Sequence, residues 1–229
     1  MPETDPKTRL LEAATPHVPF DGWSETTLRL AAEDAGIDRA IVDAVCPRGA
    51  VDLALAYHEA GDAAMVGALA AADLGAMRFR DRIAFAVRTR LDLVEDRELV
   101  RRGMTLFSLP QYAGDGTRAM WRTADRIWTA LGDTSQDINW YTKRATLSGV
   151  YGATVLYWLG DESEGQERTW EFLDRRIEDV MQFEKVKARA RENRIVSGLM
   201  SGPLGFLSRV RAPADRQQAG MPGRWRTPN

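Results

Sequence analysis

His17 and His58 are the only imidazoles in this 229-residue chain, and each stands alone. A zinc or di-iron centre recruits its ligands at fixed helical spacing, as HExxH or ExxH, or from paired cysteines, and neither histidine has such neighbours. Both read as core or surface histidines, and no metal site is expected. The single cysteine, Cys46, excludes an internal disulfide, fits a reducing compartment, and reads as a small buried hydrophobe. Neither a GxSxG nucleophile elbow nor a phosphate-binding GxxxxGK(S/T) loop is present. Gly114, Gly116 and Ala119 fit GxGxxA but follow no strand, and Gly114 to Gly116 reads as a loop before a helix. The acid pairs Glu33/Asp34 and Asp161/Glu162 fall at helix ends or loops, where capping and solvation account for them. No catalysis by the chain alone, no catalytic residue and no cofactor is therefore expected.

Two other stretches carry chemistry of recognition. Residues 133–144, DTSQDINWYTKR, place Asp137, Asn139, Trp140, Tyr141, Lys143 and Arg144 at the start of a strongly apolar helix. Asp137 or Asn139 can cap its free amides. Trp140 and Tyr141 project about 100° apart on a helix, so one of them should face solvent, where an aromatic beside charge anchors a protein partner or a membrane interface. From Arg194 to Arg211 the chain reads RIVSGLMSGPLGFLSRVR. Ile195, Val196, Leu199, Met200, Leu204, Phe206, Leu207 and Val210 fall with Pro203 on one half of a helical circumference, while Arg194, Arg209 and small residues take the other. With Arg211 this is the division of an interfacial helix, apolar toward acyl chains and basic toward head groups. Such a helix can also pack on its own protein, but its Gly and Pro residues make it weak in water and dependent on an apolar surface. Lys185, Lys187, Arg189 and Arg191 extend the basic run before it.

The elements that position these groups all read as helices. Hydrophobic residues make up 44% of the chain, enough for one sizeable helical core. No run approaches the roughly 20 apolar residues of a spanning helix, and MPETDPKTRL has neither the apolar stretch of a secretory signal nor the Arg-rich character of an organelle presequence. Residues 1–57 read as three short helices punctuated by Gly22 and Gly36, with Ser24 as an N-cap. Their GWSxxT, AxxAGI and short helix resemble the helix-turn-helix of tetracycline-repressor-type regulators. Residues 1–60 hold five basic and eleven acidic side chains, and Asp38 and Asp43 lie on the would-be recognition helix, so contact with DNA phosphates is not expected. Residues 58–192 form the binding and dimerisation core. It holds helices over Asp81 to Leu93, Thr117 to Leu131, Tyr141 to Leu159 and Gln166 to Arg191. Arg82, Arg88 and Arg90 read as a solvated face. Ala145, Ser148, Gly149, Gly152 and Ala153 form a small-residue strip suited to close packing or to a ligand, packing being the commoner use. Residues 193–211 are the amphipathic helix and 212–229 a flexible basic tail.

DTSQDINWYTKRATLSGVY, with the upstream Leu109-Pro110 and the downstream TWEFLDRRIEDV and IVSGLM, resembles the Coq-nine family of ubiquinone biosynthesis over roughly Gly22 to Val210. The resemblance implies a tetracycline-repressor-like all-α fold, a homodimer, a pocket for isoprenoid quinone intermediates or phospholipid, and a C-terminal helix that engages a membrane. It implies no catalysis, but presentation of the lipid to the demethoxyubiquinone hydroxylase. The family's surface patch carries over onto Asp137, Asn139, Trp140 and Tyr141, with Ile127 at the patch edge where the family usually has Met. Pocket-wall residues chosen by size and position are Met104, Phe107, Trp121, Trp128, Leu147 and Tyr151. With no presequence in view, the expectation is a bacterial form, cytoplasmic and peripheral to the inner membrane. The alternative on the same scaffold is a lipid-sensing transcription regulator.

Overall fold

The computed structural model describes residues 5–192 and residue 211, with side chains to residue 182 and at 211. Every regular element among them is helical. Helices α1 (Pro6–Ala14), α2 (Val18–Asp21), α3 (Glu25–Ala35) and α4 (Arg39–Val45) surround a first core of Leu10, Val18, Trp23, Leu28 and Val42. Their ends follow from local chemistry. Asp5, Ser24 and Asp38 accept hydrogen bonds from the first-turn amides of α1, α3 and α4, and Gly36 ends α3 in the left-handed region, at φ 61°, where a side chain would be strained. Asp38 is thus a cap, and Asp43 pairs with Arg39 at 2.9 Å on the exposed side of α4. Cys46 is buried in this core, as its isolation in the sequence suggested.

Helix α5 (Ala50–Ala71) runs through residues 57 and 58 and supplies both cores, Leu53 and Ala54 to the first and Met65 and Leu69 to the second. The second core is completed by α6 (Phe79–Asp92), α7 (Arg97–Phe107), α8 (Ala113–Ala130), α9 (Ile138–Leu159) and α10 (Glu167–Glu192). Pro110 separates α7 from α8, but Gly114 and Gly116 lie inside α8 rather than in a loop. The reason is the tight α7–α8 corner: a Cβ at Gly116 would come within 2.8 Å of the Phe107 Cβ, so glycine is selected for the approach of two helices.

The small-residue strip of α9 also differs from the packing expected of it. Ala145 and Gly149 are exposed, and a Cβ at Gly149 or Gly152 would meet no described atom within 4 Å. The opposite face of α9 makes the core through Leu147, Val150, Tyr151, Val155 and Trp158. Helix α7 is strapped to the C-terminal end of α9 by arginines. Arg97 donates to the Trp158 and Asp161 carbonyls at 3.3 and 2.8 Å, and Arg101 donates to the Leu159 carbonyl at 2.8 Å. Cations there satisfy carbonyls that the helix itself leaves open. Asp161 then starts the next turn: its carboxylate accepts from the backbone and hydroxyl groups of Ser163 and Thr169.

Candidate functional site

The aromatic patch is built at the corner where α8 gives way to α9. Asp137 caps α9, its Oδ1 accepting from the Asn139 amide and its Oδ2 from the Asn139 side chain, both at 2.9 Å. Trp140 and Tyr141 are each half-buried, so neither is the freely exposed aromatic that helical spacing predicted. Their rings meet edge to face at 4.8 Å, and Trp140 also leans on Trp121 of α8 at 6.0 Å. The Tyr141 hydroxyl donates to the Arg211 carbonyl at 3.2 Å. Ile127 is not at this surface: it is fully buried in the second core, because its position on α8 turns toward α5 and α9.

Beneath the patch lies a charge network that the residue pattern did not reveal. The Arg144 guanidinium, 3% exposed, bonds Asp133 at 3.0 Å and Asp125 at 2.5 Å and donates to the Trp140 carbonyl. Its plane lies over the Trp140 ring at 4.0 Å. Lys143 bonds the second Asp133 oxygen at 2.7 Å and stands over the Trp128 ring, whose indole N–H donates to the Lys143 carbonyl. Burial would raise the Asp133 pKa, but hydrogen bonds from Lys143, Ser135 and Arg144 outweigh it and bring it down to about 2. One signal was available: an arginine inside a nearly continuous apolar helix must find a carboxylate.

Two apolar cavities flank α9. The larger, about 310 Å³, lies among α5, α6, α7, α8 and α9 and is lined by Met104, Phe107 and Tyr151 of the expected wall, together with Trp23, Tyr57 and Arg90. Its outer rim is exposed at Ser108, Ala113 and Thr117, and its deepest lining residues include Arg90 and Tyr151, 4% and 3% exposed. The smaller, about 200 Å³, takes Trp128 and Leu147, with Phe79, Ile177 and Met181 from α6 and α10. Trp121 lines neither and belongs with Trp140. The expected wall is thus divided between two cavities and the patch, because α9 stands between them.

Arg90 is buried rather than solvated. Its Nε bonds Asp62, itself fully buried, at 2.8 Å, and it donates to the His58 carbonyl. Thr123 donates to the same carboxylate at 3.0 Å and shares a 2.8 Å hydrogen bond with the His58 ring. Burial lowers the His58 pKa against the opposing pull of Asp62, and burial raises those of Tyr57 and Tyr151, with the Arg90 charge opposing in part. At neutral pH the imidazole and both phenols are uncharged. Among the described residues no group of three or more His, Cys, Asp or Glu side chains is placed to hold a metal ion, and no described helix is long and apolar enough to cross a membrane.

Residues 194–210 of the expected membrane helix, and the side chains of Lys185, Lys187, Arg189 and Arg191, lie outside the described residues. Arg211 is exposed, and its carbonyl meets Tyr141.

A six-helix second core carrying an apolar cavity, joined to a helix-turn-helix of acidic character, defines a protein of the tetracycline-repressor fold. A TetR transcriptional regulator from Nitrosomonas europaea superposes with a TM-score of 0.60 over 76% of this chain and 97% of that one, at 19% identity, which speaks to the fold. More particularly, residues 113–184 match the COQ9 family model, and the chain is similar to COQ9 proteins. It is 32% identical to the mitochondrial ubiquinone biosynthesis protein COQ9 of Drosophila melanogaster, over 78% of this chain and 56% of that protein. The COQ9 of Rattus norvegicus is also 32% identical, over 84% of this chain and 64% of its own. The chain thus spans 56% to 64% of the length of these relatives. The matched segment 113–184 contains α8, α9, the patch and the Arg144 network.

Proposed function

We propose that the chain is a non-catalytic lipid-binding accessory protein of ubiquinone biosynthesis. It holds an isoprenoid quinone intermediate in the larger cavity, associates peripherally with the inner membrane from the cytoplasmic side through residues 194–211, and presents its cargo to the pathway's demethoxyubiquinone hydroxylase through Asp137, Asn139, Trp140 and Tyr141. The observation that supports this best is the 310 Å³ cavity, whose wall is predominantly apolar with a few polar side chains. Water gains little there, whereas each methylene transferred from water into it is worth about 0.8 kcal/mol. A cavity of this size holds a ring and the first part of a chain, so a long prenyl tail needs further cover, which a bilayer or the smaller cavity can supply. The exposed strip of Ala145, Gly149 and Leu156 on α9 suits a second copy of the chain, giving a homodimer.

The direct test is mass spectrometry of lipid that co-purifies with the full chain from a ubiquinone-producing host. A prenylated ring compound is the expected cargo; an empty protein or phospholipid alone refutes specific carriage. Deletion of residues 194–229 should abolish flotation with anionic liposomes.

The fold neighbour favours a second reading, a lipid-sensing transcription regulator. Asp38 is spent as a helix cap and Arg39 is paired with Asp43, which leaves α4 poor in cations for phosphate. Saturable, sequence-selective retardation of DNA at low salt would establish the regulator instead.

A further inference from the structure

At the exposed rim of the larger cavity the Ser108 and Thr117 hydroxyls are spent on the Thr105 and Ala113 carbonyls, at 2.7 and 2.9 Å, while Arg90 and Tyr151 of its lining are buried. Tyr57, half-buried, and Tyr151, buried, line the cavity beside Arg90, and no hydrogen bond to either phenol hydroxyl is found among the described residues. Tyr151 is 3% exposed, so its hydroxyl is sheltered from bulk water yet left with an open donor and acceptor. The Arg90 charge is already met by Asp62 at 2.8 Å, and the His58 ring by Thr123 at 2.8 Å. The cavity wall therefore offers two uncharged hydroxyls, the Tyr151 one on a buried side chain, next to a compensated cation. The rim, at Ser108 and Thr117, opens beside Met104 and Phe107.

We propose that the bound lipid enters ring first, a phenol or quinone oxygen accepting or sharing hydrogen bonds with Tyr57 and Tyr151 at the closed end, while its chain runs past Met104 and Phe107 to the rim. This rests on the carriage reading above and adds to it an orientation and a ligand chemistry. A hydroxyl facing an apolar cavity gains a hydrogen bond from a neutral ring oxygen, whereas an aliphatic chain end offers it none. A phosphate head fits poorly, since it would carry a net charge into a site whose cation is already neutralised. The ring is then concealed during transport and exposed only on release to the partner.

The test compares a long-chain alkylphenol with the alkylbenzene of the same chain length, titrated into the full chain and into the Tyr57→Phe/Tyr151→Phe variant. The wild type should prefer the phenol by roughly tenfold, from two net hydrogen bonds, and the variant should lose that preference while binding the alkylbenzene as before. A bulky cap on the far end of the chain should be tolerated, and the same cap on the ring oxygen should abolish binding. Equal wild-type affinity for phenol and alkylbenzene, the reverse tolerance of the caps, or displacement by an equal concentration of lysophosphatidylglycerol overturns the ring-first assignment and leaves apolar carriage standing. Binding of neither probe overturns carriage itself.

Discussion

The Arg144 guanidinium lies 4.0 Å from the centre of the Trp140 ring while it binds the carboxylates of Asp133 and Asp125. The aromatic of the patch therefore rests on a buried cation whose own position is fixed by two acids. Removing that cation strands Asp133, whose side chain is 3% exposed, with Lys143 as its remaining cation. We expect Arg144→Leu to cost about 3 kcal/mol, or a melting point lower by roughly 6–12 °C for a domain of this size. Arg144→Lys should recover part of the stability but not the stacking on Trp140. Thermal unfolding followed by tryptophan fluorescence distinguishes the two; an Arg144→Leu melting point within a degree of wild type would show the network to be energetically idle.

Asp137 has two separable roles, as the cap of α9 and as a charge beside Trp140. Asp137→Ala should lower stability by about 1 kcal/mol, the usual cost of a lost cap. Asp137→Ser keeps the cap and removes the charge, so it should melt near wild type. If the patch reads its partner by charge, both variants lose hydroxylase binding by tenfold or more in a pull-down or by calorimetry. Full binding by Asp137→Ser would confine the residue to the helix.

Gly116→Ala pushes a methyl group against the Phe107 side chain, which lines the larger cavity. Overpacking of this kind costs roughly 1–3 kcal/mol, and Phe107 can yield only by moving inward or by parting α7 from α8. The variant should carry less co-purified lipid per protein at equal folded content, as counted by mass spectrometry. Undiminished loading would mean that Phe107 does not border the occupied space.

Asp133 is held down to about 2, below the roughly 3.9 of an unfolded aspartate, so it binds its proton more weakly when folded. Its stabilisation is complete above pH 4 and disappears as pH falls from about 4 through 2, amounting to about 2 kcal/mol. Asp161, lowered chiefly by the Thr169 and Ser163 hydroxyls, acts in the same direction. Denaturant titrations from pH 5 to 2 should show this slope, and Asp133→Asn should flatten part of it; an unchanged slope in that variant would place the acid sensitivity elsewhere.

Much of the fold was legible because its signals are local. Ser24 and Asp137 announce helix starts, Gly36 a helix end, and the apolar run around Val150 a buried helix. What stayed hidden depends on pairs far apart in sequence. Arg90 reads as one more surface charge until Asp62, 28 residues earlier, is seen beneath it. The resemblance puts Ile127 at the patch edge but does not orient it, since only the packing of α8 on α5 and α9 turns it inward. The expected cavity wall divided for a similar reason: size and position in the sequence select Trp121, Trp128 and Leu147 as readily as Met104, Phe107 and Tyr151, and only the position of α9 sends them to different compartments. Gly114 and Gly116 mimic a loop because glycine serves turns and close helix contacts alike.

The Arg90–Asp62 pair carries a consequence for how such a chain can change over generations. Arg90 without Asp62 is a buried charge without its carboxylate, and Asp62 without Arg90 keeps as its cation only Arg126, at 3.8 Å, with the Thr123 hydroxyl, so a lineage that loses one by mutation faces a folding defect before it can lose the other. Exchange for an uncharged pair of similar bulk could be harmless or even favourable, yet no single substitution leads there. This buried part of the cavity wall is therefore held in place by the difficulty of the path away from it as much as by its usefulness.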